Sequence, residues 1–466
     1  MLIKIKMANV LSLIENLDTL SKAEISDILQ YKVGGFGQPT ETKYLYNPET
    51  NITYTGLIPR VIQYLTKNEI SYELEDERIQ PDNSQDVKGN FKVLPLFVPR
   101  DYQKTIIDGA STREIIQAAT GAGKTFIMAN LVAKYNVKPV LVIAPKISLA
   151  QQIKEEFEKF LGIKVCLLGG GHSIVFGNII VSTPQSCPQN VIEDAKMILF
   201  DEVHNLPADT IFNIASKATN AYYRFGVSAT PWRDDGKDLL IEAALNIRKP
   251  HLSIIASDLI TKQKLTPCTI NFVKMDQDIK WQGNYAKTYD YCITNNIERN
   301  KIITDLAVKN FSNKTQLILV KQVRHGTKLL NRIKAKVPYE EILNFNNDNN
   351  QWQTIGNVEF LSGGDDLGKR KAILESVKNG FTKILIATTI ADEGLDLPIL
   401  DTLILAGAGT SSTRAFQRVG RVLRLYKGKE EAIVYDFLDS NPTFHKQALL
   451  RKSLYETEPL WKINYI

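Results

Sequence analysis

The sequence predicts an α/β protein: two parallel-sheet domains in tandem, preceded by a small α+β domain. Between residues 91 and 250, strand-length runs of Val, Ile and Leu alternate with helical patterns, and the alternation returns between residues 299 and 440. Such uninterrupted apolar runs are typical of strands buried on both faces of a parallel sheet. Residues 1–90 mix short strand and helix patterns and end in PDNSQDVKGN, which is rich in turn formers. We expect an N-terminal accessory domain there, a connector over residues 251–298 and a C-terminal tail over residues 441–466.

The N-terminal elements follow from local signals. SKAEISDILQYK is predicted to be a helix with a capping box formed by Ser21 and Glu24. YLYNPETNITYTG predicts two short strands around a turn at Asn47 and Pro48, and GLIPRVIQYLTKNE predicts a helix. The two larger domains are expected to contain the strands EIIQAAT, PVLVIAP, NIIVSTP, KMILFDE and YYRFGVSAT, and then QLILV, VEFLSG, KILIAT, TLILAG and EAIVYDF.

The composition supports a globular chain and excludes several classes of protein. Hydrophobic residues make up 44% of the 466 positions and charged residues 23%, unlike a disordered or fibrous protein. No apolar run approaches the roughly 18 residues that a membrane-spanning helix needs. Glu15 and Asp18 interrupt the apolar N-terminus, so no secretory signal is expected. The four cysteines lie far apart, which predicts reduced thiols in the cytoplasm.

The strongest local signal is AATGAGKT, residues 118–125, between a predicted strand and a predicted helix. This is the setting of a phosphate-binding loop, in which glycines let backbone N–H groups approach the phosphates. Lys124 is expected to reach the β- and γ-phosphates, and Thr125 to place its hydroxyl on Mg²⁺. Ala118 stands where the pattern usually has glycine. The predicted cofactors are ATP and Mg²⁺, and the predicted loop contacts are Thr120, Gly121, Ala122, Gly123, Lys124 and Thr125.

Two further motifs supply candidate catalytic groups. LFDEVH places Asp201 and Glu202 at the carboxyl end of an apolar strand, where Asp201 is expected to hold Mg²⁺ and Glu202 to polarise the attacking water. QRVGRVLR, residues 417–424, is predicted to be helical, with Arg421 and Arg424 on one face. Arginines so placed are expected to bind a phosphoryl group that gains negative charge during transfer, and Gln417 is a further candidate catalytic residue. A solvated basic helix is the alternative for this motif.

In order and spacing, these motifs resemble those of superfamily 2 helicases over residues 98–436. RDYQ resembles the adenine-recognition motif, with Arg100 and Gln103. APKISLAQQ, VSTPQS, VSATP, LILVKQVRHG, IATTIADEGLDLP and QRVGRVLR resemble motifs Ia, Ib, III, IV, V and VI. Within the superfamily, SATPWRDDG, DLITKQKL and DEVH are more similar to UvsW-like and XPB/RecG-type DNA helicases than to DEAD-box RNA helicases.

The resemblance implies two RecA-like domains that close on one ATP. It also implies that His204, Ser228 and Thr230 couple hydrolysis to domain movement, and that Asp396 helps to bind the nucleotide. A local hydrogen bond is the alternative for His204, and a plain salt bridge for Asp396. The implied nucleic-acid contacts are small polar groups suited to phosphates rather than bases, namely Lys146, Thr183, Gln185, Ser362, Gly363, Thr388 and Thr389.

These features predict an ATP-dependent DNA helicase or translocase that unwinds or branch-migrates forked and branched DNA. We expect a monomer that works with recombination, repair or replication proteins, away from membranes, in a bacterial or phage-infected cell. An RNA helicase of the same architecture and a non-unwinding translocase subunit are the alternatives. The N-terminal domain resembles the small domain that precedes the motor in UvsW-like helicases and is a candidate DNA-binding domain with Lys32, Lys43, Tyr44 and Arg60. A scaffold or protein-docking domain is the alternative for it.

Overall fold

The computed structural model describes residues 2–33, 41–82, 84, 86–233, 236–245, 252–275, 284–346, 351–388, 397–407 and 412–466. The chain divides into two compact units, Met1–Ile255 and Ala256–Ile466. Each unit contains a seven-stranded parallel sheet, and the first also carries a small N-terminal sheet with helices, so the predicted fold class is confirmed. Among the helices of the described residues, none is long and apolar enough to cross a membrane.

The N-terminal part of the first unit is a five-stranded mixed sheet in the order β5-β6-β2-β1-β7. Period-2 alternation builds it, since Ile3 and Ile5 of the first strand face the core while Lys4 and Lys6 do not. A β3–β4 hairpin is separate from this sheet. The elements are β1 (Ile3–Met7), β2 (Leu11–Glu15), α1 (Thr19–Ile28), β3 (Gln30–Val33), β4 (Glu41–Tyr44), β5 (Tyr46–Asn47), β6 (Ile52–Tyr54), α2 (Ile58–Lys67) and β7 (Tyr72–Asp76).

The start of α1 differs from the prediction. Asp18 is the N-cap, and its side chain accepts a hydrogen bond of 2.8 Å from the backbone N–H of Ser21. Ser21 is therefore already inside the helix, and the capping box predicted for Ser21 and Glu24 is wrong. An aspartate three residues earlier caps the first turn, so it sets the helix start.

The remainder of the first unit is a parallel sheet in the order β10-β11-β9-β12-β13-β8-β14. The five strands predicted for this region form, and the short β10 and β14 join them at the two edges. The elements are α3 (Asp101–Gly109), β8 (Arg113–Ala118), α4 (Lys124–Tyr135), β9 (Val140–Ile143), α5 (Ile147–Leu161), β10 (Cys166–Leu168), β11 (Ile179–Ser182), α6 (Gln189–Asp194), β12 (Met197–Asp201), α7 (Asp209–Lys217), β13 (Tyr223–Ser228), α8 (Asp238–Leu245) and β14 (Leu252–Ile254).

The N-terminal sheet packs closely on α8 of the same unit. Arg60 forms a bidentate pair with Glu242, with N–O distances of 2.5 and 2.8 Å. A Cβ at Gly56 would lie 2.0 Å from the carbonyl oxygen of Glu242, so only glycine permits this approach. Leu239 and Ala243 of α8 belong to the hydrophobic core of the N-terminal sheet. Arg60, a candidate DNA contact in the sequence, is thus engaged in docking inside the first unit.

The second unit repeats the parallel plan in the order β19-β20-β16-β21-β22-β15-β23, with a separate antiparallel hairpin, β17–β18. Its elements are α9 (Ala256–Thr261), β15 (Cys268–Lys274), α10 (Tyr285–Tyr289), α11 (Ile297–Lys309), β16 (Gln316–Leu319), α12 (Val323–Lys334), β17 (Glu341–Asn346), β18 (Gln351–Gly356), β19 (Val358–Leu361), α13 (Leu367–Lys378), β20 (Ile384–Ala387), β21 (Thr402–Ile404), α14 (Ser412–Val422), β22 (Ala432–Leu438), α15 (Pro442–Tyr455) and β23 (Lys462–Tyr465).

Two strands of this second sheet come from regions predicted as connector and tail. β15 pairs in parallel with β22 along its whole length, from Cys268 to Lys274. β23 then pairs with the other side of β15 and forms the sheet edge. The C-terminal residues therefore pack on this sheet as a helix followed by a strand.

Candidate nucleotide-binding and nucleic-acid-binding residues

The order of strands in the first sheet separates two groups of functional residues. β12, β13 and β8 are neighbours, and their carboxyl ends carry Asp201, Ser228 and the phosphate loop. β10, β11 and β9 form the other half of the sheet and lead into the candidate nucleic-acid contacts. Ligands of open parallel sheets bind outside the carboxyl ends of the strands, so both groups lie where binding is expected.

The phosphate loop has the backbone that its glycines predict. Gly121 and Gly123 have φ values of +90° and +83°, and Gly123 is the N-cap of α4. A Cβ at Gly123 would lie 2.6 Å from Nε2 of Gln103, so a larger residue would collide as well as be strained. Ala118, the departure from the usual pattern, is the buried last residue of β8 and needs no glycine there.

Gln103 joins the upstream motif to the phosphate loop. Its Oε1 accepts a hydrogen bond of 2.9 Å from the Arg100 backbone N–H, and its Nε2 donates one of 2.8 Å to the Ala122 carbonyl. One amide hydrogen and one lone pair remain for a ligand such as an adenine edge. Tyr102, which the sequence did not single out, donates its hydroxyl to the same carbonyl at 3.4 Å. Its position inside RDYQ was the available signal.

Lys124 and Glu202 form an ion pair at the carboxyl ends of β8 and β12. Burial acts to raise the pKa of Glu202, but the charges of Lys124 and His204, with hydrogen bonds from Lys124 and Ser228, leave that pKa lowered. Burial raises the pKa of Asp201 to about 7, while Lys124 acts in the opposite direction. The loop lysine and the acidic pair of LFDEVH therefore act as one electrostatic group.

A directed hydrogen-bond chain connects Glu202 with the third motif. Ser228 Oγ donates to Glu202 Oε2 at 3.1 Å, so it accepts from His204 Nδ1 at 3.1 Å. The same oxygen accepts from the Thr230 backbone N–H at 3.2 Å. Glu202 itself has a φ of +50°, which is unusual for a residue with a side chain and typical of strained functional positions.

Arg233 extends this chain and was missed in the sequence. Its Nη1 donates to the His204 carbonyl at 2.7 Å, and its backbone N–H donates to Asp238 at 2.7 Å. It directly follows SATPW, which was the only signal available. Trp232, one residue earlier, packs partly buried against the core of the first unit.

The residues present suit Mg²⁺ bound together with a nucleotide. Asp201 ends β12 close to Lys124, and Thr125 lies in the first turn of α4. Mg²⁺ usually takes one or two protein oxygens and fills its octahedron with phosphate oxygens and water. Among the described residues there is no cluster of three or more His, Cys, Asp or Glu side chains that could form a dedicated all-protein site.

Candidate nucleic-acid contacts of the first unit lie around a glycine turn. Lys146 is exposed at the N-cap of α5, and Gln185 is exposed after β11. Thr183 is buried, and its Oγ1 bonds to Ser186 at 3.1 Å. A Cβ at Gly169 would meet Thr183, Ser186 and Ile147 at 3.0–3.3 Å, so the turn brings motifs Ia and Ib together.

The corresponding residues of the second unit follow adjacent strands. Ser362 and Gly363 come after β19, Thr388 comes after β20, and the Thr388 N–H bonds to the Leu361 carbonyl at 3.1 Å. The Ser362 hydroxyl and N–H both donate to Asp365, at 3.0 and 2.6 Å. Thr389 and Asp396 lie outside the described residues.

The motif VI residues are arranged differently from the prediction. Gln417 and Arg421 lie four residues apart on α14 and share a face, but α14 ends at Val422. Arg424 lies beyond the helix, in an isolated bridge with Leu265, so the predicted shared helix face of the two arginines is wrong. The helix stops because the Leu423 carbonyl accepts from the Thr266 N–H at 2.7 Å and Lys429 donates to the Val422 carbonyl.

Comparisons with known proteins agree with these two units. The model for the type III restriction enzyme res subunit matches residues 96–233, and the model for the helicase conserved C-terminal domain matches residues 299–426. The DNA 3'-5' translocase XPB2 of Sulfurisphaera tokodaii is 25% identical over 374 residues, 76% of this chain and 84% of that protein. The ATP-dependent DNA helicase uvsW of Enterobacteria phage T4 is 26% identical over 396 residues, 80% and 74% of the two chains.

A solved structure supports the fold. It is a fragment assigned to an HsdR subunit of a type I restriction enzyme from Vibrio vulnificus YJ016, with a TM-score of 0.59 and 16% identity over 99% of this chain and 85% of that one. The motif resemblance is confirmed by these matches, which cover both halves of the motor. The chain is a superfamily 2 helicase, an enzyme whose ATP hydrolysis depends on nucleic acid.

Proposed function

We propose that this helicase acts on DNA and that it unwinds or branch-migrates forked and branched DNA. The observation that carries the proposal is the linked group of Lys124, Glu202, Ser228 and His204, which shares one sheet with candidate contacts for a nucleic-acid backbone. Relatives named as a DNA translocase and a DNA helicase support DNA as the substrate. Proteins that assist it in recombination, repair or replication, and a monomeric state, belong to the same proposal.

ATP binding would change the Lys124–Glu202 pair. The β- and γ-phosphates compete with Glu202 for Lys124, because both are anionic and the loop presents its N–H groups to phosphates. When Lys124 moves to the phosphates, Glu202 loses its cation and keeps the hydrogen bond from Ser228. A carboxylate held in this way orients and deprotonates the attacking water. Mg²⁺, held by Thr125 and Asp201, would neutralise charge on the phosphates.

The remaining site residues have proposed roles on the same basis. Gln103 and Arg100 recognise the adenine, and Thr120, Gly121, Ala122 and Gly123 bind the phosphates, with Asp396 as a further nucleotide contact. His204, Ser228 and Thr230 couple ATP hydrolysis at Glu202 to domain movement, since the Ser228 hydroxyl bonds to Glu202, His204 and the Thr230 N–H. Gln417, Arg421 and Arg424 contact the phosphoryl group that is transferred. Such arginines contribute about 10³–10⁵ in rate.

The DNA contacts are proposed to be independent of sequence. Lys146, Thr183, Gln185, Ser362, Gly363, Thr388 and Thr389 offer hydroxyl, amide and backbone groups that suit phosphate oxygens. In the proposed division, residues 1–90 form an accessory domain, residues 91–250 and 299–440 the two motor domains, residues 251–298 the connector and residues 441–466 the tail. The β3–β4 hairpin presents Lys32, Lys43 and the exposed Tyr44 as candidate DNA contacts of the accessory domain.

The test measures ATP turnover by the full chain with no nucleic acid, single-stranded DNA, forked DNA, a four-way junction and structured RNA. We expect DNA to stimulate turnover and forks or junctions to be separated or migrated, with K124A as the inactive control. Turnover that DNA leaves unchanged would contradict the proposal. Stronger stimulation by RNA would indicate an RNA helicase, and stimulation without strand separation would indicate a non-unwinding translocase.

A further inference from the structure

The residues that follow α15 hold the first residues of the second unit. Glu458 is only 3% exposed, and its carboxylate accepts hydrogen bonds from the N–H groups of Ala256 and Ser257 at 2.9 and 2.7 Å. The Ser257 hydroxyl donates to the same carboxylate at 2.8 Å and accepts from the Leu460 N–H at 3.1 Å. A buried carboxylate that satisfies these donors cannot shift without leaving some of them unpaired. The start of the second unit is thus fastened to the C-terminal segment, residues 456–466.

The same segment also contacts the motif VI helix. Trp461 stacks on Phe416 with a centroid distance of 4.9 Å and an interplanar angle of 25°. Both rings are 5% exposed, so the stack is part of the core. Phe416 directly precedes Gln417 on α14 and lies five residues before Arg421. Trp461 therefore supports the helix that carries two of the proposed phosphate contacts.

A third set of contacts connects the residues after α9 with the end of motif VI. After α9 the chain returns to the end of motif VI, where the Thr266 N–H donates to the Leu423 carbonyl at 2.7 Å. Leu265 forms a bridge with Arg424, and the Thr266 hydroxyl donates to the Arg424 carbonyl at 3.4 Å. Residues 256–266 are consequently held at one end by Glu458 and at the other end by the backbone of Leu423 and Arg424.

We propose that Glu458 and Trp461 are positioning residues for Arg421 and Arg424, so that the C-terminal segment sets the motif VI arginines in register with the first residues of the second unit. This inference rests on the proposed role of those arginines. These contacts form a closed path, which leads from Ser257 through Glu458 and Trp461 to α14 and returns through Arg424 and Thr266. A displacement at residue 256 therefore moves the arginines with it. Without Glu458 or Trp461, α14 loses one of its two links to the first residues of the second unit.

The test uses E458Q and W461L in the full chain. Gln keeps the volume of Glu but turns an NH₂ group toward N–H donors, and Leu removes the ring stack. We expect kcat for DNA-stimulated ATP turnover to fall about ten- to a hundredfold, as misplaced catalytic groups do, with little change in KM for ATP. W461F retains a ring on Phe416 and is expected to restore most of the turnover. E456Q and L460A are matched controls on exposed neighbours and should leave turnover unchanged.

Double variants distinguish positioning from general damage. In a background that carries both R421A and R424A, W461L and E458Q should lower the residual turnover no further, because they act through these two arginines. Partial unfolding would instead lower it by the same factor in both backgrounds, and that result would overturn the inference. Wild-type turnover in a folded E458Q variant would also overturn the inference.

If R421A alone turns over ATP like the wild type, the proposed role of the arginine is wrong, and the result does not bear on the contacts of Glu458 and Trp461. Thermal unfolding of each variant identifies those that fold, and E458Q, which keeps side-chain volume, carries the test if W461L does not fold.

Discussion

Lys124 and Glu202 pair directly at the ends of β8 and β12, with 18% and 17% of their side-chain surfaces exposed. The pair joins the phosphate loop to the residue that we propose as the general base. Each partner thereby holds the other in place, and we propose that the phosphates of ATP compete for the lysine.

Replacement of Lys124 by alanine should abolish ATP turnover, by about 10³-fold or more, because both the phosphate contact and the partner of Glu202 are lost. The fold should remain, since Lys124 lies at a helix start and not in a core. Steady-state ATP hydrolysis and thermal unfolding check this. K92A, which removes an exposed lysine of the same unit, is the control. Turnover by K124A within tenfold of wild type would refute the assignment of the loop.

Replacement of Ser228 by alanine should uncouple ATP hydrolysis from strand separation. The Ser228 hydroxyl bonds to Glu202, His204 and the Thr230 N–H, so its loss removes these three bonds while Lys124 and Asp201 stay in place. We expect hydrolysis to persist, reduced by at most about tenfold, and unwinding to fall further. S216A, which removes a hydroxyl bonded only to its own helix, should change neither rate. Equal losses of both activities would argue against a coupling role.

Replacement of Lys146 by alanine should weaken DNA binding equally on different sequences. We propose that this exposed lysine at the N-cap of α5 contacts phosphate and not base edges, so the slope of log K against log salt should fall by about 1. Binding titrations at several salt concentrations with two unrelated sequences measure this. K159A, an exposed lysine of the same helix, is the control. A loss confined to one sequence would contradict backbone recognition.

Replacement of Arg60 by alanine should destabilise the first unit without removing catalysis. It leaves the 3%-exposed Glu242 without its bidentate partner, which we expect to cost about 2 kcal/mol because Arg60 is itself partly exposed. Urea unfolding gives the free energy change, and K67A on the same helix is the surface control. An unchanged free energy of unfolding would show that the pair does not fasten the N-terminal sheet to α8.

Stability should fall on acidification because of His325. Burial, together with the charges of Arg299 and Lys328, lowers its pKa to about 3, and its Nε2 donates to Asn300 at 2.8 Å. The unfolded chain binds a proton near pH 6.5 and the folded chain does not, so stability is complete above 6.5 and is lost toward pH 3. Between pH 7.5 and 5.0 the expected loss is about 2 kcal/mol. H325N should remove this part of the pH dependence in urea unfolding, whereas H172N, at an exposed histidine, should keep it.

Local sequence was sufficient for the motor core. The strands around the phosphate loop are continuous apolar runs, and the loop glycines adopt the left-handed φ values that their motif requires. Asp201 and Glu202 end the strand that was predicted for them. These features depend on neighbours in sequence, so pattern and residue type determine them.

Tertiary structure decided what depends on distant partners. Nothing near Arg60 in sequence indicates Glu242, and nothing near Ser257 indicates Glu458. The end of α14 before Arg424 depends on Thr266 and Lys429, which the repeat of basic residues in QRVGRVLR does not reveal. Pairing of β15 with β22 and β23 likewise joins segments far apart in the chain. Residue type fixes which groups can bond, but packing across the fold selects which of them meet, and that selection gave the connector and tail their place in the second sheet.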